Sequence, residues 1–164
     1  MGRWTPHRAA GRDDGSAIVE FLGLSLLLLV PLIYLVVALS RIQAGAYGTE
    51  FAARESSRGA VVVGVQSLER GASLDEAVAA ANLRANTVAA LAIDDFGFDA
   101  ADAARVTLGC DPEPCLSPGS DVVTTVELKV DLPGVPGFVR SWLPLAVTVR
   151  SNSASAVDGF ASGS

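Results

Sequence analysis

The sequence predicts an α+β protein. An N-terminal transmembrane helix extends into the exported side and is followed by a small domain in which one or two helices back a three-stranded antiparallel sheet. Three observations predict this. First, Phe21 to Leu39 is a run of 19 residues without a charge; at ~1.5 Å per helical residue it covers about 28 Å, close to the hydrocarbon thickness of a bilayer. Second, Ser73 and Glu76 form an S-x-x-E capping box ahead of apolar residues at helical spacing. Third, after Ala100 the apolar period changes from 3.6 to 2, the signature of half-buried strands.

The first element begins with a charged leader, residues 1–15, holding Arg3, Arg8, Arg12, Asp13 and Asp14. It ends in Gly15-Ser16-Ala17-Ile18-Val19-Glu20-Phe21, which sets a carboxylate at the mouth of the apolar run. An ionisable group there is costly, so such a group has a partner or a function as a rule. Were the chain cut after Gly15, Ser16 would carry a free α-amino group one helical turn from Glu20.

That arrangement resembles type IV prepilins and, more closely, the TadE-like pseudopilins of the Flp (tight adherence) pilus system. In that group a short charged leader ends in Gly, and the fifth residue of the mature chain is a Glu followed by Phe. The resemblance spans roughly Asp14 to Ala60, about a third of the chain. It implies cleavage by a prepilin peptidase between Gly15 and Ser16, and assembly roles for Glu20 and Phe21. It also implies partners among other pilins or pseudopilins, the pilus assembly platform and the lipid bilayer, within machinery related to type II and type IV secretion. Many TadE-like proteins place a proline early in the span and a second acidic residue near its far end. Here Pro31 lies deep in the run, which exits through Leu39-Ser40-Arg41. Two plainer readings of the same residues stay open. One is a secretory signal peptide cut at Ala44-Gly45-Ala46; the other is an uncleaved signal anchor whose Glu20 snorkels to the interface.

With the span assigned to residues 16–40, residues 41–164 carry 9 basic and 15 acidic side chains, so the exported part holds the whole net charge of −6. An acidic, Lys-poor domain does not suit nucleic acid, which is bound by clustered Lys and Arg. Arginines flank the span on both sides, so flanking charge leaves orientation undecided. The long C-terminal part and the Cys110–Cys115 pair decide it: N-terminus cytoplasmic, C-terminal domain extracytoplasmic; the resemblance implies a place in or on the pilus after processing.

Residues 41–60 read as a helical extension dense in small residues. Gly45 and Gly48 each weaken a helix by ~1 kcal/mol relative to Ala, so a close approach is expected there, either to neighbouring subunits or to this protein's own domain. The domain is expected over residues 61–150. Gly71 breaks the chain before the capped helix, whose stripe reads Leu74, Val78, Ala81, Ala85, Val88 and Leu91 and which ends at Asp94-Asp95-Phe96-Gly97. Arg105 to Leu108 reads as a short strand. Val122, Thr124, Val126, Leu128, Val130 and Leu132 form one face of a second, opposite the wet Thr125, Glu127, Lys129 and Asp131. Leu145, Val147 and Val149 mark a third, after a loop punctuated by Pro133-Gly134 and Pro136-Gly137 in which Phe138, Trp142 and Leu143 are expected to cap the sheet edge rather than contact a partner, the other use open to them. Residues 151–164, small and polar, read as a strand end and then a flexible tail.

Cys110 and Cys115 fall between the first two strands and read as a disulfide that shapes a loop, stiffened by Pro112 and Pro114. Two cysteines do not close a four-ligand zinc site, and the only histidine, His7, lies in the leader. Asp94, Asp95, Asp99 and Asp102 fit no calcium loop and read as a solvated linker. No Walker A, G-x-S-x-G or H-E-x-x-H sequence is present, so neither an enzyme, a metal nor a cofactor is expected. Two function classes follow: a pseudopilin or minor pilin, or a single-pass or secreted envelope protein with a binding or structural α+β domain and no filament role.

Overall fold

The computed structural model describes residues 14–134 and 146–158. The chain is α+β: three helices, α1 (Asp14–Glu69), α2 (Leu74–Asp95) and α3 (Ala100–Ala103), and three strands, β1 (Ala104–Asp111), β2 (Asp121–Asp131) and β3 (Ala146–Ala156). It divides into two units, Met1–Val37 and Ala38–Ser164. The leader through Asp13, the loop residues Phe138, Trp142, Leu143 and Leu145, and the end of the tail lie outside the described residues.

In the first unit, α1 presents its apolar side chains outward all round: Phe21 is 69% exposed and Leu27 74%. One helix near the N-terminus is thus long and apolar enough to cross a membrane. Pro31 lies inside it.

In the second unit, β2 is the centre of an antiparallel sheet of order β1-β2-β3. The alternation read from the sequence sets its two faces: Val122, Thr124, Val126, Leu128 and Val130 are buried, while Lys129 and Asp131 are exposed. Burying each Val or Leu of that row contributes ~1.5–3 kcal/mol. The buried face packs in two clusters. Val126, Leu128 and Val130 join Ala52, Ala53 and Ile93; Val122 joins Ala60, Ala81, Ala85, Leu116 and Val157.

Three features differ from the sequence reading, besides β1, which runs on to Asp111 and so takes in Cys110, expected between the first two strands. The helical extension continues past residue 60 to Glu69, because no proline interrupts it and Gly64 is held against Leu116; Gly71 then turns the chain at φ +87°. The stripe of α2 has the expected period but is rotated: Ala77, Ala81, Ala85, Ala89 and Ala92 are buried, whereas Leu74 is 40% and Leu91 61% exposed. Alanine lets α2 lie close to α1, and the Ser56 hydroxyl donates to the Ala85 carbonyl at 3.0 Å. Finally, residues 151–156 of the expected tail belong to β3, paired with β2 from Ala146↔Asp131 to Ala156↔Asp121.

Candidate functional site

The residues at the mouth of the apolar run are brought together by helix geometry alone. Gly15, Ser16, Glu20 and Phe21 all fall inside α1. Residues four apart share a helix face, so Ser16 and Glu20 lie one above the other. Both are exposed, as are Ile18, Val19 and Phe21 around them. Among the described residues Glu20 has no hydrogen-bond or ion-pair partner. Among the described residues the site is therefore a carboxylate without a partner at the head of a run of exposed apolar side chains.

The small residues of the second half of α1 meet this protein's own domain. A β-carbon at Gly45 would stand 2.5 Å from Val130 Cγ2, and one at Gly48 3.1 Å from Phe96 Cγ. Further along, the Ser57 hydroxyl lies 3.0 Å from that of Ser155 and 3.4 Å from that of Ser153. Of the two uses left open for Gly45 and Gly48, the structure thus places packing within the chain. The seam continues at Gly64, where a β-carbon would come within 2.6 Å of Leu116 Cδ1. Its signal was present in the sequence: small residues at 45, 48, 49, 52, 53, 56, 57, 60 and 64 recur at helical spacing.

Leu116 reaches that seam by way of the Cys110–Cys115 disulfide. The Asp111–Pro112 and Glu113–Pro114 bonds are cis, and Leu116 itself is left-handed at φ 59°. The loop delivers Leu116, only 5% exposed, onto α1, which is the loop-shaping role the sequence suggested.

The acidic linker also has local work. Asp94 Oδ1 accepts from the Ala100 N–H at 3.2 Å, and Asp99 Oδ1 from the Ala101 N–H at 3.1 Å, so both carboxylates satisfy the start of α3. Among the described residues no His, Cys, Asp and Glu cluster could hold a metal ion. Beside α3 a hollow of about 400 Å³ is lined by Arg41, Phe98, Asp99, Asp102, Lys129 and Asp131. Its charges are of both signs, and Arg41 is stacked over the Phe98 ring at 4.9 Å. A second hollow, about 440 Å³, lies between α1 and α2 among Glu55, Arg58, Gly59, Val62, Arg84 and Val88. Neither combines a nucleophile with a base.

Compared with protein-family models, curated proteins and solved structures, the chain matches none. Its function is therefore argued from its own residues.

Proposed function

We propose that this protein is a pseudopilin or minor pilin: a membrane-anchored substrate of a prepilin peptidase, cut between Gly15 and Ser16, that acts in assembly of a Flp-type, type IVb-like pilus. The observation that carries the reading is Glu20, an exposed carboxylate without a partner among the described residues, at the head of a helix whose apolar side chains are exposed. An ion at that depth is stabilised by an opposite charge. Cleavage after Gly15 would create one, the Ser16 amine, on the same face of its own helix and of every neighbouring copy. The Gly15-to-Phe21 sequence that resembles TadE-like prepilins supplies the cleavage site. In this reading the N-terminus is cytoplasmic and the C-terminal domain extracytoplasmic. The partners are the peptidase, other pilins or pseudopilins, the assembly platform and the bilayer, and the protein works by association rather than catalysis.

Processing tests it directly. Intact-mass analysis of membrane-extracted protein is expected to give a chain beginning at Ser16. Gly15→Leu is expected to leave the leader attached, because a side chain would intrude where the backbone must enter the peptidase site. A chain beginning at Met1 would make this a signal anchor, and one beginning at Tyr47 a secreted protein; either result removes the pilin reading.

A further inference from the structure

We propose that the Cys110–Cys115 disulfide is a redox-sensitive clamp. Oxidised, it seats Leu116 in a notch of α1 at Gly64 and fastens the tip of the α1–α2 hairpin to the sheet; reduced, it lets Leu116 leave and the tip open. The inference is independent of the pilin reading and uses only residues of the Ala38–Ser164 unit.

The notch is built by the absence of a side chain. A β-carbon at Gly64 would stand 2.6 Å from Leu116 Cδ1 and 2.7 Å from Cδ2, so the leucine fills the space that any other residue at 64 would need. Its neighbours make this one contact weigh heavily. Among the described residues, four of the seven buried members of the cluster under the hairpin tip are alanine, and Leu116 is the largest of the other three, beside Val122 and Val157. The apolar area removed from water there rests on one leucine more than on any other side chain. The second cluster, with Ile93, Phe98, Val126, Leu128 and Val130, includes no residue of this loop.

Leu116 is not held in the notch by its own backbone preference. Its φ of 59° is left-handed, a conformation that is costly for a side chain of this size and persists only where the surroundings enforce it. Downstream the enforcement is a turn. The Ser120 N–H and hydroxyl donate to the Ser117 carbonyl at 2.9 and 2.8 Å, and the Val157 N–H donates to the Ser120 carbonyl at 2.8 Å. Upstream the chain is barely fastened. Pro112 and Pro114 have no N–H to give. Among the described residues the backbone of residues 112–115 enters one hydrogen bond, from the Ser117 N–H to the Pro114 carbonyl at 3.4 Å. What ties this side to the sheet is the covalent bond from Cys115 back to Cys110 on β1. Breaking it leaves Leu116 held from one side.

The switch is a two-electron step. A dithiol reductant supplies two electrons and two protons; the Sγ–Sγ bond breaks, Cys110 and Cys115 become thiols, and the reductant closes to its own disulfide. Disulfides persist in oxidising compartments and are lost in reducing ones, so packing of the hairpin tip becomes conditional on the compartment, while the second cluster packs in either.

Hydrogen exchange of the full chain in detergent micelles, read by mass spectrometry, tests this. Dithiothreitol is added to the folded protein, and reduction is verified by the gain of two hydrogens in intact mass. Residues 61–69 and 77–85 are then expected to exchange about thirtyfold faster, the scale for opening a ring this short, while residues 126–130 keep their rate. Leu116→Ala is expected to give the same acceleration with the disulfide intact and none further on reduction, because both changes remove one plug. Leu116→Met, of similar volume, is expected to keep the slow exchange. Unchanged exchange on reduction overturns the clamp, and so does equal acceleration of residues 126–130, which would make the disulfide a general stabiliser. Fully additive effects of Leu116→Ala and reduction overturn the route through Leu116. A ring that stays oxidised in the folded protein overturns the switch. The first comparison uses wild-type protein already folded, so it does not wait on any variant. None of these readings involves cleavage after Gly15, so loss of the pilin reading leaves this inference standing.

Discussion

At Gly45 the absence of one side chain decides how close α1 lies to the sheet. The nearest atom to a β-carbon there would be Val130 Cγ2 at 2.5 Å, on the central strand, where a β-branched side chain has little room to turn away. Overpacking costs ~1–3 kcal/mol, and replacing a helical glycine returns at most about 1 kcal/mol. Gly45→Val, larger and itself stiff, is therefore expected to lower the melting temperature of the Ala38–Ser164 unit by several degrees, measured by thermal denaturation. Gly23→Ala is the control, since a β-carbon at Gly23 meets nothing within 4 Å. Equal melting temperatures for the two variants would mean that α1 does not depend on close approach at this point. Further along the same sheet face Thr124, opposite Ser153, is buried with a hydroxyl that has no hydrogen-bond partner among the described residues.

Among the elements, α2 shows how local chemistry and tertiary context divide the work. Its start was legible: the Ser73 hydroxyl accepts from the Glu76 N–H at 3.3 Å, while the Glu76 carboxylate accepts from the Ser73 N–H and hydroxyl, each at 2.9 Å. Those bonds, the backbone one first, hold the Glu76 carboxyl below its ordinary value of 4.5. The unfolded chain therefore takes up this proton more readily than the folded one. The contribution is fully present above pH 4.5 and is lost as pH falls through the lower folded value. Wild-type melting temperature is accordingly expected to fall more steeply than that of Glu76→Gln below pH 4.5, with the two curves parallel above it. Parallel curves throughout would show that the carboxylate does not cap α2. What the sequence concealed was which face of α2 is buried. Large residues suggested Leu74 and Leu91, but the partner helix demands a short approach and selects alanine instead. The same lesson holds for β3. Ser151 to Ala156 carries no apolar alternation, so it read as tail, yet its inward serines fit the hydroxyl-bearing seam of α1 where larger residues would not. By contrast β2, whose alternating valines and leucine face a core on one side and water on the other, was readable residue by residue.

At the scale of the whole molecule, the apolar run and the carboxylate at its head find no cover and no partner among the described residues. All 19 residues from Phe21 to Leu39 are uncharged, and Glu20 has no partner among the described residues. If copies lie side by side in a membrane, each Glu20 is stabilised when a neighbour's Ser16 amine slides level with it. On the proposed reading the charge would act as a registry mark for assembly, one that the peptidase need not use. Glu20→Gln keeps the size and hydrogen-bonding capacity of the side chain while removing the charge. It is expected to leave membrane insertion and cleavage after Gly15 intact and to reduce incorporation into the assembly by about tenfold or more, since losing a charge-assisted contact costs ~1.5–3 kcal/mol. Cleavage is read by intact mass and incorporation by pilus counts in the same cells, so a variant that is processed normally yet fails to assemble isolates the registry role. A processed Gln variant that assembles as well as the wild type would show that Glu20 only snorkels at the membrane edge.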